Sequence, residues 1–150
     1  MKRKLLIACL LSAAFSTQAL AWDLWDEFKS TNVTEEGRVV DYSEKNLITT
    51  SEGQSYAMFY ALVANDRKTF DQVFAWSENN LGKDQPSWLW GIPDGKMENP
   101  GKIMDTNNAT DSDMWIAYSL LEAARIWNAP EYEARANDYL AKLKELVRDI

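Results

Sequence analysis

Apolar positions along the chain fall into blocks of helical period. From Glu52 to Asn65, Tyr56, Phe59, Tyr60 and Val63 recur three and four residues apart. Ala57, Met58, Ala61, Leu62 and Ala64 fill the other sides, so this helix is apolar nearly all round, as a buried helix should be. Asp66 opens a more polar helix with Phe70, Val73, Phe74 and Leu81 on one face, and Gly82 supplies its stop. "ATDSDMWIAYSLLEAARIW", from Ala109, repeats the first pattern: Met114, Ala117, Tyr118, Leu121 and Ala124 follow the period, and Ile116, Leu120 and Ala123 widen the stripe. Asn128-Ala129-Pro130 breaks it, and "EYEARANDYLAKLKELVRDI" forms a last amphipathic helix that meets no stop signal.

The remaining segments are less regular. Trp22 to Lys29 reads as a short amphipathic helix with Trp22, Trp25 and Phe28 on one side, and Thr31 to Ser43 as extended or looped with a turn at Gly37. Residues 83–108 hold Pro86, Pro93 and Pro100 with Gly91, Gly95 and Gly101, and read as a long loop carrying Trp88 and Trp90. Loops of that length usually have a function. A nearly all-apolar helix followed by a polar-faced one, twice over, predicts an all-α protein with the inner and outer helices of an α/α barrel or toroid.

Composition narrows the chemistry. "MKRKLLIACLLSAAFSTQALA" has a basic start, an apolar run too short to span a bilayer, and an Ala-Leu-Ala end. Residues 1–21 are therefore expected to be a signal peptide cleaved after Ala21, with residues 22–150 exported to the periplasm or secreted. The only cysteine, Cys9, lies in that leader, so the fold must be held by its core without a disulfide. The chain has no histidine, which removes Ser-His-Asp triads and histidine-ligated zinc; no metal and no cofactor are expected. Beyond the leader the chain has 13 basic and 23 acidic side chains, net −10, so it does not suit nucleic acid. A neutral polysaccharide fits an acidic chain with seven Trp, six Tyr and five Phe, although most of those rings are expected to fill a core.

Acid–base chemistry here must use carboxylates, tyrosine or lysine. Glu52 stands at the start of the first buried helix, and Asp111 and Asp113 at the start of the second. If the two helices run the same way, "TTSEGQS" and "NNATDSD" line one mouth. A lone first-turn acid is most simply a stabiliser of the helix dipole, worth about 0.3–1 kcal/mol. Two acidic prefixes on helices too apolar for a surface also suit glycoside hydrolysis, in which one carboxyl protonates the leaving oxygen and another activates water or attacks.

The same residues resemble glycoside hydrolase family 8. Ala109, Thr110, Asp111, Asp113, Ile116, Ala117, Ser119, Leu120, Ala123 and Trp127 match the family signature, with Ser112 where Ala or Gly is usual. "TTSEGQSYAMFYALVANDRKTFD" is similar to the segment carrying the family's proton donor, and "WDEFK", "EGRVVD" and "WLWG" extend the likeness. The resemblance implies a partial (α/α)6 barrel, with four or five of the barrel's twelve helices, and inverting endo-hydrolysis of β-1,4-glucan (cellulose). It implies Glu52 as general acid. Asp111 becomes the signature Asp, either the motif's nucleophile or a carboxylate that helps distort the sugar; the second suits an inverting reaction, which has no covalent intermediate. Asp113, Gln54, Tyr56, Trp88, Trp90 and Trp115 become candidate substrate-binding residues, with core packing equally open for Trp115. A functional association with cellulose synthase machinery is also implied. The catalytic base has no match, so the chain is expected to be an N-terminal fragment or truncated frame. The alternatives are a non-catalytic exported module that binds glucan or nothing, and xylan, chitosan or mixed-linkage glucan as substrate.

Overall fold

A computed structural model describes the backbone of residues 19–148 and the side chains of residues 23–146. The proposed signal peptide falls almost wholly outside the described residues. Helix α1 (Ala19–Asn32) leads through bridged turns to β1 (Thr49–Thr50), α2 (Ser51–Val63) and α3 (Arg67–Asn80). Strands β2 (Leu89–Gly91) and β3 (Lys102–Asp105) then precede α4 (Thr110–Trp127) and α5 (Pro130–Arg148). No described helix is long and apolar enough to cross a membrane.

The predicted helices form, with ends set by local chemistry. Thr50 caps α2, its Oγ1 accepting from Gly53 N at 3.0 Å, and Asp66 caps α3 by accepting from Thr69 N at 3.1 Å. Asn128 turns left-handed at φ 51°, ending α4, and Pro130 starts α5, where its missing N–H is harmless. Helices α2 and α4 lie side by side, with α3 against α2 and α5 against α4. Ala57, Met58, Ala61 and Leu62 meet Ile116, Ala117, Leu120 and Ala123, while Phe70, Val73, Phe74, Tyr132 and Tyr139 close the core from the outer helices.

Two expectations are corrected. The stripe Tyr56, Tyr60 and Val63 of α2, and Met114, Tyr118 and Leu121 of α4, is exposed, and the small-residue side is buried. On helices apolar all round, period alone does not say which side faces the core, and alanines allow the closer approach. The expected loop at 83–108 contains two strands. Together with β1 they form an antiparallel sheet of order β1-β2-β3, pairing Thr49 with Trp90 and Trp90 with Ile103.

Helix α1 docks through Trp25 and Phe28, whereas the Trp22 side chain lies outside the described residues. Lys29 Nζ and Trp25 Nε1 both donate to Asp66 Oδ2, at 2.9 and 3.3 Å. Burial alone would raise the Asp66 carboxyl, but the bonds from Lys29, Thr69 and Trp25 overturn it and bring it down to about 2. A lowered carboxyl stabilises the fold above its unfolded value near 4 and ceases to do so as pH falls toward 2. Asp66→Asn should therefore lose about 1–2 kcal/mol at pH 7, allowing for partial solvent screening. The deficit relative to the unsubstituted chain should vanish between pH 4 and pH 2 in urea unfolding followed by tryptophan fluorescence.

Candidate active site

The two acidic helix starts are joined through the main chain of one residue. Ser51 N donates to Trp88 O at 3.0 Å, and Trp88 N donates to Asn107 O at 2.5 Å. Since α2 begins at Ser51 and α4 just beyond Asn107, "TTSEGQS" and "NNATDSD" do share a mouth. The first-turn acids are not the caps of these helices. Thr50 fills that role on α2, and α4 has no side-chain cap at Ala109. Asp111 Oδ1 makes only a local bond, accepting from Ser112 N at 2.9 Å.

Glu52 is half-buried, and its Oε1 accepts from the Tyr56 hydroxyl at 3.1 Å. The Tyr56 phenol is raised above its ordinary value, chiefly by that hydrogen bond, with the charges of Glu52 and Asp111 both contributing. Asp111 is exposed beside Phe59, Met114, Trp115 and Tyr118, which line a shallow depression.

The rings make a continuous aromatic surface. Trp115, 36% exposed, lies 5.0 Å from Phe59, 5.8 Å from Tyr118 and 6.1 Å from Tyr56, measured between ring centroids. Tilted and edge-on contacts hold these rings in place while leaving part of each accessible. Phe59 and Tyr118 were missed as site residues. Each lies three residues after a candidate, Tyr56 or Trp115, and that spacing puts them on the same helix face.

Three expected sugar contacts are corrected. Gln54 is fully buried: its Nε2 donates to Gly37 O, Val73 O and Ser77 Oγ at 3.2, 3.1 and 2.9 Å, and its Oε1 accepts from Val39 N at 2.6 Å. These bonds tie α2 to α3 and to the strap at 37–39. Gly37 makes that close approach possible, since a Cβ there would lie 2.2 Å from the Gln72 backbone. Trp90 is held under Arg38, whose guanidinium carbon sits 4.2 Å from the ring centroid, and against the edge of Trp76. A Cβ on Gly101 would fall 1.9 Å from the Trp90 ring, so this ring is packed onto main chain rather than offered to a ligand. Trp88 is half-buried and contributes its main-chain N–H and C=O to the mouth.

Asp113 is the third. It is 1% exposed, its Oδ2 accepting from Asn108 Nδ2 at 3.0 Å and its Oδ1 buried without a partner among the described residues. Burial pushes its carboxyl up to about 6, against the Asn108 bond and with help from the Asp111 charge.

The sequence profile of the glycosyl hydrolases family 8 matches residues 1–147. The chain belongs to glycosyl hydrolase family 8. An endoglucanase of Escherichia coli O157:H7 is 46% identical over 96% of this chain and 39% of its own length, and one of Pseudomonas fluorescens is 43% identical over 91% and 35%. Among solved structures, an endo-1,4-D-glucanase from Vibrio fischeri superposes with a TM-score of 0.73 at 48% identity, over 81% of this chain and 35% of that one. An endoglucanase from Klebsiella pneumoniae superposes with a TM-score of 0.69 at 29% identity, over 78% and 37%. The hairpins α2–α3 and α4–α5 of this family 8 chain are thus part of an (α/α)6 barrel, and the chain spans less than two-fifths of the length of those four relatives.

A raised buried carboxyl has a definite sign. The folded state holds the Asp113 proton to higher pH than the unfolded chain, so folding weakens as pH rises from about 4 through about 6. Asp113→Asn, which never ionises, should be more stable than the parent by about 2 kcal/mol at pH 7. The two should converge below pH 4 in denaturant midpoints measured across that range.

Proposed function

We propose that this chain carries the acid half of an endo-β-1,4-glucanase site that acts with inversion on cellulose. Glu52 protonates the leaving glycosidic oxygen, and Asp111 binds the sugar ring at the scissile bond and favours its distortion. Tyr56, Phe59, Trp115 and Tyr118 give the glucan an aromatic floor, because sugar rings present apolar C–H faces that stack on π-surfaces. The observation that carries this reading is the joining of the Glu52 and Asp111 helix starts through the Trp88 main chain, with that aromatic surface leading away from them. The 1,4-glucanase names of similar proteins support the substrate.

An inverting reaction also needs a base to activate water, and we assign that role to no residue of this chain. Its relatives are more than twice as long, and this favours a second reading in which these residues bind glucan without cleaving it. Xylan, chitosan and mixed-linkage glucan remain alternative substrates. On the basic start, the apolar run and Ala-Leu-Ala, we further propose export with cleavage after Ala21. Functional association with cellulose synthase machinery belongs to the same reading and rests on resemblance.

Carboxymethylcellulose hydrolysis separates the two readings. The 150-residue chain should bind cello-oligosaccharide with no turnover, and the full-length polypeptide should hydrolyse the polymer. Glu52→Gln in that full-length form should lower kcat by at least about a thousandfold with oligosaccharide affinity changed less than about threefold. Retained turnover would reduce Glu52 to a first-turn acid, and turnover by the 150 residues alone would overturn the division of labour.

A further inference from the structure

Asp113 is buried too deeply to bind a sugar, yet it is connected to both ends of the mouth. Its Oδ2 accepts from Asn108 Nδ2 at 3.0 Å, and its backbone N–H donates to Ala109 O at 3.1 Å. The side chain of Asp113 thereby reaches back over the first turn of α4 to the segment that leads into it, while the backbone bond is the ordinary first bond of the helix. Asn107, next to Asn108, offers the carbonyl that takes the Trp88 N–H, and the Trp88 carbonyl takes the N–H of Ser51. Ser51 immediately precedes Glu52. Each step from Asp113 to Glu52 is therefore a hydrogen bond or a run of adjacent residues.

We infer that Asp113 is a positioning residue, a buried brace that sets the spacing of Glu52 and Asp111 through Asn108 and the Trp88 main chain without touching glucan. Its purpose rests on the reading of Glu52 and Asp111 as the working carboxylates; the brace itself does not. What the brace requires is an acceptor oxygen facing Asn108. A carboxylate, a carboxylic acid and a carboxamide all supply one, and a methyl group does not. The charged and titratable groups around Asp113 are Asp111 on its own helix and Tyr139 on α5, which in turn lies near Glu78, Asp84 and Arg135. Binding to Asn108 persists whichever way those groups are charged, so the brace is geometric.

Residue-resolved amide exchange by NMR on the 150-residue chain tests it, since the Ser51 and Trp88 amides are themselves links. Asp113→Ala and Asn108→Ala should each accelerate exchange at Ser51 and Trp88 by at least about tenfold, with the core amides of α3 unchanged. Compared below pH 4, where the two chains have the same stability, Asp113→Asn should match the parent within about twofold. Asn108→Ala breaks the same bond from the half-buried partner, so an unfolded Asp113→Ala would not blunt the test. Exchange at Ser51 and Trp88 unchanged in Asn108→Ala, or acceleration spread evenly over all helices, would overturn the brace. Cellohexaose titration followed by tryptophan fluorescence reads the site: affinity should fall at least about fivefold in Asn108→Ala and be kept in Asp113→Asn. If cellohexaose fails to bind the parent chain, the glucanase reading fails while exchange still decides the brace. Accelerated exchange with unchanged cellohexaose affinity would overturn the brace's link to the site.

Discussion

Main-chain hydrogen bonding at Trp88 holds together two helix starts that carry like charge. Glu52 on α2 and Asp111 on α4 are both acidic, in a chain already rich in acid, and each sits where helix amides are unpaired. Because Ser51 N and Asn107 O are both backbone groups, the link is indifferent to the side chain at position 88. What it does require is that β2 be held at one height. The Trp90 clamp of Arg38, Trp76 and Gly101 supplies this, and Arg38 carries it onward through Nε to Thr49 Oγ1 at 2.9 Å. Thr49 is two residues from Ser51, so this clamp also fixes where the start of α2, and with it Glu52, stands.

The inner helices have two apolar sides with different uses. Ala57, Ala61, Ala117 and Ala123 are small enough to let outer helices pack close, and the larger residues beside them fill the space that remains. The other side displays Tyr56, Tyr60, Tyr118, Met114 and Val63 in the open. An apolar surface of this extent is uncommon on an isolated globular protein and marks a place of contact. Near the mouth, the proposed contact is glucan. Farther along, Val63 and Ile126 share a groove with Glu122, whose carboxylate is already paired with Arg125 at 2.6 Å.

Most helix boundaries were legible because single residues decide them: Asp66, Asn128 and Pro130 act within one turn of where they stand, whereas the Thr50 cap was hidden among the polar residues that follow it. Sharing of a mouth by Glu52 and Asp111 was legible from the alternation of inner and outer helices. The strands were not, since Thr49 pairs with Trp90 across some forty residues and neither segment alone has enough alternation to announce itself. Polar residues misled for a different reason. Gln54 and Asp113 are buried with hydrogen bonds that come from Gly37, Val39, Val73, Ser77 and Asn108, and no local pattern reveals such partners. Trp90 misled likewise, because a loop tryptophan that grips glycine and one that stacks on sugar look alike in sequence.

The Trp88 link also has a consequence for the order of assembly. Each helix pair is a hairpin joined by a short turn, at 64–66 or 128–129, so its contacts close small loops. The mouth must instead bring Ser51 to Trp88, then Trp88 to Asn107, and loop-closure entropy grows with each such span. Hairpins are therefore the natural early structures, and the acids come together only once both exist. Any lesion that slows β2 from settling would leave a chain rich in helix whose two carboxylates have not yet met.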